Sequence, residues 1–229
     1  MNNFFKKATG HLKIFAIEWA LIAAVLLGSM LGFAFIADEI VVEGSGLFDA
    51  RVFRAIDSIS SSQLTRVALV VTFFGTGFFL IPAWGIIIYY FVRKKRIPEA
   101  LWVGAVALTS LLLGLLLKEL FQRPRPRLPF LEHAGGFSFP SGHSLGGFTF
   151  SGVMIYLIRN SGLSSIRKNA FTVFFILFGV LIGLSRVYLH VHFASDVIGS
   201  FCVTGVWLSL SLIVVRLFQK KGGNVQPPG

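Results

Sequence analysis

The chain has 229 residues, of which 55% are hydrophobic and 14% are charged. A soluble domain carries about 25% charged residues, so this composition excludes an ordinary water-soluble protein and favours a membrane protein. The formal net charge is +11, but the basic residues are spread over short loops and form no continuous basic run. Lipid headgroups and membrane topology explain this charge better than a nucleic acid does. We therefore expect membrane lipids, and no nucleic acid, as partners.

Apolar runs predict an all-α integral membrane protein, a bundle of six transmembrane helices. The predicted spans are Ile14–Ala37, Val67–Val92, Ala100–Leu117, Ser144–Ile158, Ala170–Val187 and Asp196–Leu217. A span needs about 20 residues, so the fourth and fifth runs must extend into their flanks. The first run is longer than a signal-peptide core and shows no clear cleavage site, so we interpret it as an uncleaved span. We expect one six-span domain over residues 1–221 and a flexible tail over 222–229.

The segment between the first two spans, about residues 38–66, is predicted to form a small external helical cap. Its apolar residues recur at helical spacing along one face. These residues are Leu47, Phe48, Val52, Phe53, Ile56 and Ile59. The pattern favours a helix lying on the bilayer surface, and a lid for lipid access is the alternative.

The charges of the connecting loops predict the orientation in the membrane. On one side lie the basic residues Lys6, Lys7, Lys13, Arg93, Lys94, Lys95, Arg96, Arg159, Arg167, Lys168, Arg216, Lys220 and Lys221. The other side begins with the cap, where acidic residues outnumber basic ones. By the positive-inside rule both termini are cytoplasmic. The segments 118–143 and 186–196 then lie together at the outer face.

Those outer segments contain three short polar stretches in very apolar surroundings. The first runs from Lys118 to Pro126 and reads Lys-Glu-Leu-Phe-Gln-Arg-Pro-Arg-Pro. The second is Pro-Ser-Gly-His at 140–143, and the third begins at Ser185 and ends at Asp196. Charged residues are costly in a membrane, so such a cluster indicates a functional site.

The first two stretches, together with Arg186 of the third, have the chemistry of a phosphate site. Phosphoryl transfer needs positive charge around the phosphoryl oxygens, which Lys118, Arg125 and Arg186 would supply. A helix beginning at Ser141 and Gly142 would add unpaired N–H groups and a partial positive charge. Glycine there would let the backbone approach a phosphate closely.

The third stretch contains a candidate nucleophile. His192 and Asp196 are four residues apart, which places them on one face of a helix. Asp196 can accept the Nδ1–H of His192 and leave Nε2 free to attack. His143, directly after the glycine of the second stretch, is placed to protonate a leaving oxygen.

Together the three stretches closely resemble the type-2 phosphatidic-acid phosphatase superfamily. Its pattern is Lys-x6-Arg-Pro, then Pro-Ser-Gly-His, then Ser-Arg-x5-His-x3-Asp, and every diagnostic position is filled here. The resemblance implies a phosphatase that uses no metal or cofactor and forms a phosphohistidine. It implies that His192 attacks phosphorus, Asp196 orients it, and His143 is the general acid and later activates water. The residues implied to hold the phosphoryl group are Lys118, Arg125, Ser141, Gly142, His143 and Arg186.

Within that superfamily, the size and span count are most similar to small bacterial phosphatidylglycerophosphate phosphatases of the B type. The expected substrate is therefore phosphatidylglycerophosphate or a lipid resembling phosphatidic acid. An undecaprenyl-pyrophosphate phosphatase of cell-wall lipid recycling is the alternative enzyme. A lipid-phosphate transporter or scramblase is a rival of another class, but it has no need of the His192–Asp196 pair. The oligomeric state is left open.

Several neighbouring residues do not match the motifs. Arg123 and Arg127 are expected to contact lipid headgroups or solvent, with a secondary role in substrate binding as the alternative. His190, His192 and Asp196 have the residue types of a metal site, but three nearby cations would repel a divalent ion. We therefore expect no metal.

Overall fold

The computed structural model describes residues 2–43, 46–126 and 135–221. All regular structure in these ranges is helical, and no strand occurs in them. The eight helices are α1 (Asn2–Glu43), α2 (Leu47–Ile59), α3 (Ser62–Phe73), α4 (Gly77–Arg93), α5 (Ile97–Phe121), α6 (Gly142–Arg159), α7 (Ser165–Tyr188) and α8 (Ala194–Lys221). The predicted tail and Arg127 lie outside the described residues.

Within the described ranges, five helical segments are long and apolar enough to cross a membrane. They are Ile17–Asp38, Ser62–Arg93, Ile97–Phe121, Ser165–Tyr188 and Ala194–Leu217. Large apolar side chains on them face outward, with Leu31 and Phe35 each 72% exposed and Phe78 87% exposed. Soluble proteins rarely expose so much apolar surface to water, so these side chains are expected to contact lipid. The chain is a multi-pass membrane protein, as its composition predicts.

The second predicted span is interrupted, which the sequence did not indicate. Residues 74–76 separate α3 from α4. A Cβ at Gly75 would lie 2.7 Å from Ile182 Cγ2 and 3.1 Å from His143 Cβ, so the break presses against α6 and α7 where only glycine fits. The break contains no proline and lies in an apolar run, so hydropathy alone predicted a single helix.

Helix α6 lies in the interior of the bundle. It packs against α5, α7 and α8, and its buried residues include Ser144, Gly147, Thr149 and Ser151. Thr149 Oγ1 is 2.8 Å from Ser110 Oγ of α5 in a buried hydrogen bond. Because other helices surround α6, its side chains need not be apolar, and it is not among the five segments above.

Helices α1 and α8 pack closely along each other. A Cβ at Gly205 would lie 2.1 Å from Ser29 Oγ, and small residues of this kind let membrane helices approach closely. Cys202 is buried on the same side of α8, and a Cβ at Gly32 would be 3.0 Å from its sulfur.

The predicted cap region, about 38–66, contains the amphipathic helix α2. This helix packs against α7 and α8. It buries Phe53, as its apolar pattern suggests, but it also buries the carboxylate of Asp49, which is only 1% exposed. A buried acidic residue must find a partner, and that partner belongs to the site described next.

Candidate active site

The three polar stretches meet at one end of the bundle. Lys118 lies in the last turn of α5, Ser141 is the N-cap of α6, and Arg186 lies in the last turn of α7. Asp196 lies in the first turn of α8. Successive helices run in opposite directions, so the end of α5, the start of α6, the end of α7 and the start of α8 lie at the same end of the bundle.

His192 and Asp196 form a buried pair. His192 Nδ1 is 3.3 Å from Asp196 Oδ2, and the two residues are 2% and 0% exposed. On the other side of the ring, Nε2 is 3.2 Å from Arg125 Nη1. Arginine can only donate, so Nε2 accepts this bond and the ring proton is on Nδ1, facing Asp196. This is the tautomer that the four-residue spacing predicts.

The protonation of His192 suits attack by Nε2. His192 lies in the turn between α7 and α8, and burial lowers its pKa to about 4. Asp196 opposes this shift, whereas the charges of Arg125 and Arg186 add to it. The imidazole is therefore neutral at neutral pH, with its lone pair on Nε2.

Each predicted phosphate-binding cation is oriented by a neutral oxygen. Lys118 Nζ donates to the carbonyl of Phe137 at 2.6 Å, and Arg125 Nη1 donates to that of Val191 at 2.7 Å. These bonds hold the cations in place without cancelling their charge.

Arg186 is held in the same way. It is 3% exposed, and its Nη1 donates to Thr72 Oγ1 at 2.5 Å. Thr72 lies on α3 just before the break at 74–76, so the interrupted span contributes a residue to the site. Sequence reasoning missed Thr72, because a threonine in a hydrophobic span carries no motif.

Ser141 and Gly142 begin α6, as predicted, but their geometry differs in detail. Ser141 is fully buried, and its Oγ accepts a hydrogen bond from Ser144 Oγ at 2.8 Å. A Cβ at Gly142 would meet no atom within 4 Å. Protein packing therefore does not require glycine there, and its close approach to a phosphate stays a prediction.

His143 lies in the first turn of α6 and is partly buried. Its Nε2 is buried and has no hydrogen-bond partner within the described part of the chain. The basic residues near enough to act electrostatically on its ring are Arg186, His192, Arg125 and Lys118. His143 therefore belongs to the same cluster as the other predicted site residues.

Arg123 lies in the interior, so the prediction that it contacts headgroups or solvent was wrong. It is 5% exposed, its Nη1 is 2.6 Å from Asp196 Oδ1, and its Nη2 is 2.9 Å from Asp49 Oδ2. Gln122, with φ 45°, ends α5 and turns the chain. No local pattern indicated this position, because the two carboxylate partners of Arg123 are 73 and 74 residues away in the chain.

Asp49 and Ser195 are further residues that the sequence reasoning missed. Asp49 Oδ1 accepts from Ser195 N at 2.9 Å, and Ser195 Oγ donates to Asp49 Oδ2 at 2.5 Å. Ser138 also donates to Asp196 Oδ2. Asp49 is about 70 residues before the first motif. It lies among other acidic residues of the predicted cap, so the sequence analysis used it only as evidence for the orientation in the membrane.

His190 is directed away from His192. Its Nε2 lies 3.1 Å from Asp57 Oδ1, and its ring contacts that of Phe53 edge-on at 5.3 Å. His190 therefore faces α2, so the metal site considered for His190, His192 and Asp196 is not formed. No group of three or more His, Cys, Asp and Glu side chains suited to a metal ion occurs among the described residues.

A cavity of about 760 Å³ lies between α2 and the segment that follows α5. Its walls include Phe53 and Arg54 of α2, Phe121 at the end of α5, Arg125, and Phe193. The cavity is mainly apolar with charged groups at its edge, and it reaches the site through Arg125.

Comparison with known proteins identifies the family. Residues 99–220 match the PAP2 superfamily. The chain belongs to the PAP2 superfamily. The PAP2 match covers all three motifs and the helices α5 to α8 that hold them, and the predicted family and phosphatase class are thereby confirmed.

Two curated proteins of Bacillus subtilis (strain 168) are similar in sequence. A phosphatidylglycerophosphatase B is 36% identical over 160 residues, covering 67% of this chain and 76% of the relative. An undecaprenyl-diphosphatase is 26% identical over 162 residues, covering 66% and 76%.

Two crystal structures are similar in fold. A transmembrane PAP2-type phosphatidylglycerolphosphate phosphatase from Bacillus subtilis has a TM-score of 0.77 and 31% identity, with 89% of this chain and 100% of that chain covered. Aquifex aeolicus LpxE has a TM-score of 0.59 and 25% identity, with 75% and 98% covered.

Proposed function

We propose that this PAP2 protein hydrolyses a phosphate group on a membrane lipid through a phosphohistidine on His192. The observation that carries the proposal is the arrangement around that ring. Asp196 holds the Nδ1 side at 3.3 Å, and Arg125 lies 3.2 Å from Nε2. A neutral histidine oriented by a carboxylate, with its unprotonated nitrogen next to a phosphate-binding cation, suits in-line attack on a phosphoryl group once the phosphate takes over the hydrogen bond of Arg125.

The first chemical step transfers the phosphoryl group to His192. Nε2 forms a bond to phosphorus while the bond between phosphorus and the lipid oxygen breaks. The negative charge of the bound phosphate group favours a protonated His143. His143 then gives its proton to that oxygen, so the lipid leaves as an alcohol, or as a monophosphate if the substrate is a diphosphate. Lys118, Arg125 and Arg186 stabilise the charge on the equatorial oxygens.

The second step returns the enzyme to its starting state. His143, now neutral, takes a proton from a water molecule, whose oxygen attacks phosphorus. The bond between phosphorus and Nε2 breaks, and inorganic phosphate leaves. In both steps Asp196 stabilises the positive charge on His192. The N–H group of Gly142 and the hydroxyl of Ser141 help to hold the phosphoryl oxygens.

Phosphatidylglycerophosphate is the substrate we propose. The similarity to a phosphatidylglycerophosphatase B supports this choice, and its identity exceeds that to the undecaprenyl-diphosphatase, 36% against 26%. The cavity between α2 and Arg125, of about 760 Å³, is within the about 300–1,000 Å³ of small-molecule sites. Undecaprenyl pyrophosphate is the alternative substrate.

For the membrane arrangement we propose six spans, with α6 as the sixth, in one domain over residues 1–221. The region 38–66 forms the external cap, both termini are cytoplasmic, and the site faces outward. The basic loops at the opposite end of the bundle support this orientation. A membrane-impermeant thiol reagent on intact cells should label Ser58→Cys and leave Ser164→Cys unlabelled. The reverse pattern would overturn the orientation.

The test of the function is phosphate release by detergent-purified protein in the presence of EDTA. The substrates compared are phosphatidylglycerophosphate, phosphatidic acid, undecaprenyl pyrophosphate and a water-soluble phosphoester. We expect release from the lipids, fastest from phosphatidylglycerophosphate, and loss of release in His192→Ala and in His143→Ala while the protein stays folded. Release that EDTA abolishes would contradict the metal-independent mechanism. Binding without release by folded wild-type protein would point to a transporter.

A further inference from the structure

We infer that Arg123 is a positioning residue that fixes Asp196 for its work on His192, and that Asp49 of α2 anchors Arg123 in turn. This inference rests on the proposed function. It gives a role to the buried ion network of Asp49, Arg123 and Asp196. This network contacts His192 from the Nδ1 side of the ring, whereas Arg125 contacts Nε2.

The guanidinium of Arg123 joins two carboxylates that are far apart in the chain. Nη1 donates to Asp196 Oδ1 at 2.6 Å and to Ser195 Oγ at 2.7 Å. Nη2 donates to Asp49 Oδ2 at 2.9 Å. The flat face of the guanidinium lies over the ring of Phe193, 4.1 Å from its centre. Three hydrogen-bond acceptors and one aromatic ring therefore define the position of Arg123.

The two oxygens of Asp196 have different partners. Oδ1 accepts from Arg123, whereas Oδ2 faces His192 Nδ1 and also accepts from Phe193 N at 2.9 Å and from Ser138. The bond to Oδ1 restricts rotation of the carboxylate, and so Oδ2 stays directed at the imidazole. Without Arg123, Oδ1 would lose a charge-assisted hydrogen bond.

The electrostatic balance requires a cation at this position. Asp49 and Asp196 are 1% and 0% exposed, and buried carboxylates are stable only when they are paired. Arg123 supplies one positive charge to both. When Nε2 of His192 attacks phosphorus, the imidazole becomes a second cation facing Asp196, which the network then stabilises.

The forked shape of arginine explains the residue type. The two terminal nitrogens of the guanidinium reach two carboxylates at once, which the single ammonium of a lysine cannot do with the same geometry. Arg123→Lys should therefore preserve the charge, lose one of the two connections, and give an intermediate rate.

Asp49 makes α2 part of the active site. Its Oδ1 and Oδ2 both bond to Ser195, the residue before Asp196, while Oδ2 also bonds to Arg123. Helix α2 is thus tied to the start of α8 by polar bonds as well as by the packing of Phe53. A helix attached in this way acts as a fixed wall of the site.

Arg125, two residues further on, provides the contrast. Its guanidinium lies on the Nε2 side of His192, where phosphorus would bind, whereas that of Arg123 lies behind Asp196. Loss of Arg125 should therefore weaken phosphate binding and raise KM. Loss of Arg123 should leave KM unchanged and lower kcat, because the nucleophile is misplaced but the phosphate pocket is intact.

The experiment is a double-mutant cycle on kcat with Arg123→Met and Asp196→Asn, assayed on phosphatidylglycerophosphate in detergent. Misplacement of a reacting group by 1 Å can cost about 100-fold, and we expect a loss of that order in Arg123→Met with KM within twofold of wild type. In the Asp196→Asn background the same change should cost less than about threefold, because interacting residues are not additive.

Two further variants serve as controls. Arg51→Met, at an exposed position of α2, should leave kcat and KM within twofold. Asp49→Asn should lower kcat less than Arg123→Met does. If Arg123→Met fails to fold, Arg123→Lys takes its place, with an expected loss of about tenfold that also vanishes in the Asp196→Asn background.

Several results would overturn the inference. One is a raised KM with unchanged kcat in the folded Arg123 variant, and another is a full additional loss in the Asp196→Asn background. Wild-type kcat in Arg123→Met would equally refute it. Failure of the proposed function itself would look different, because wild-type protein would then release no phosphate or His192→Ala would retain turnover.

Discussion

The two ends of the helical bundle contain the same kinds of charged residue in opposite settings. At the end that contains the motifs, Asp49, Arg123 and Asp196 are at most 5% exposed and bond to one another. At the other end, Arg96 and Glu99 form a 3.0 Å ion pair at the start of α5, with side chains 37% and 35% exposed. Composition and net charge do not distinguish these two groups, but burial does.

The difference in burial decides how much each charge matters. Removing one partner of a buried ion pair leaves an uncompensated charge and costs about 3–5 kcal/mol. Exposed pairs contribute about 0–1 kcal/mol. Substitutions of charged residues should therefore change stability and activity strongly at the end that contains the motifs. They should change both only weakly at the opposite end, called the basic end here, where Arg96 and Glu99 lie.

Among substitutions that keep both histidines, the largest effect is expected for Asp196→Asn. An amide cannot hold His192 in the required tautomer or stabilise its positive charge, and the corresponding change in serine proteases costs about 10⁴-fold in kcat. We expect a loss approaching that size with substrate binding retained, measured by steady-state kinetics and by equilibrium binding. A loss of affinity with normal kcat would contradict the role of Asp196.

Gly75→Ala should have a smaller effect than Arg123→Met. The effect arises because the added methyl would press on Ile182 and His143. Overpacking of this kind costs about 1–3 kcal/mol, and displacement of His143 should lower kcat about tenfold. Thermal unfolding in detergent and turnover measure the two effects.

The matched control for this change is Gly85→Ala in the same span, where a Cβ would meet nothing within 4 Å. It should be neutral or slightly stabilising, since glycine in a helix costs about 0.5–1 kcal/mol relative to alanine. Equal behaviour of the two variants would show that the break at 74–76 does not constrain the site.

Acid should have a small effect down to about pH 5. The pKa of His192 is lowered to about 4 by burial, so activity that requires neutral His192 is present above pH 4 and is lost as pH falls through that value. At pH 5.5, kcat/KM should be within twofold of its value at pH 7, after correction for the substrate phosphate, whose second pKa is about 6.

An acid limb centred near pH 6.5, the ordinary pKa of histidine, would contradict this expectation. It would indicate that the ring is more accessible to water than the structure shows.

The smallest effect is expected at the basic end. Arg96→Ala should change the free energy of unfolding by less than about 1 kcal/mol and leave turnover within twofold, as measured by thermal unfolding and phosphate release. A tenfold loss of turnover would show that the two ends are coupled and would weaken the contrast between them.

The structure brings the motif residues together as the sequence predicted, because their grouping follows from short spacings along the chain. Their roles in binding and catalysis stay predictions. The tautomer of His192 follows from its four-residue separation from Asp196, and Arg125 was assigned from its motif. Arg123, only two residues away, was misplaced, because its partner Asp49 is more than 70 residues distant and the pairing exists only in three dimensions.

Helices that face lipid were predictable because contact with lipid requires apolar side chains along the whole segment. Apolar runs located the five lipid-facing segments and also the helix α6, which contains the predicted fourth span. Helix α6 has polar interior contacts such as Ser110–Thr149 and is not among the segments apolar enough to be a candidate span. The break at Gly75 depends on contacts with α6 and α7, which no local pattern records.

The measurement that tests the central claim most directly is trapping of the phosphoenzyme. Wild-type protein and His192→Ala are mixed with lipid labelled on the phosphate and quenched in alkali during turnover. We predict a labelled protein band that is stable in base and lost in acid, as a phosphohistidine is, and no such band in His192→Ala. An equal band in His192→Ala, or turnover by wild-type protein with no trapped label under any quench, would contradict the account.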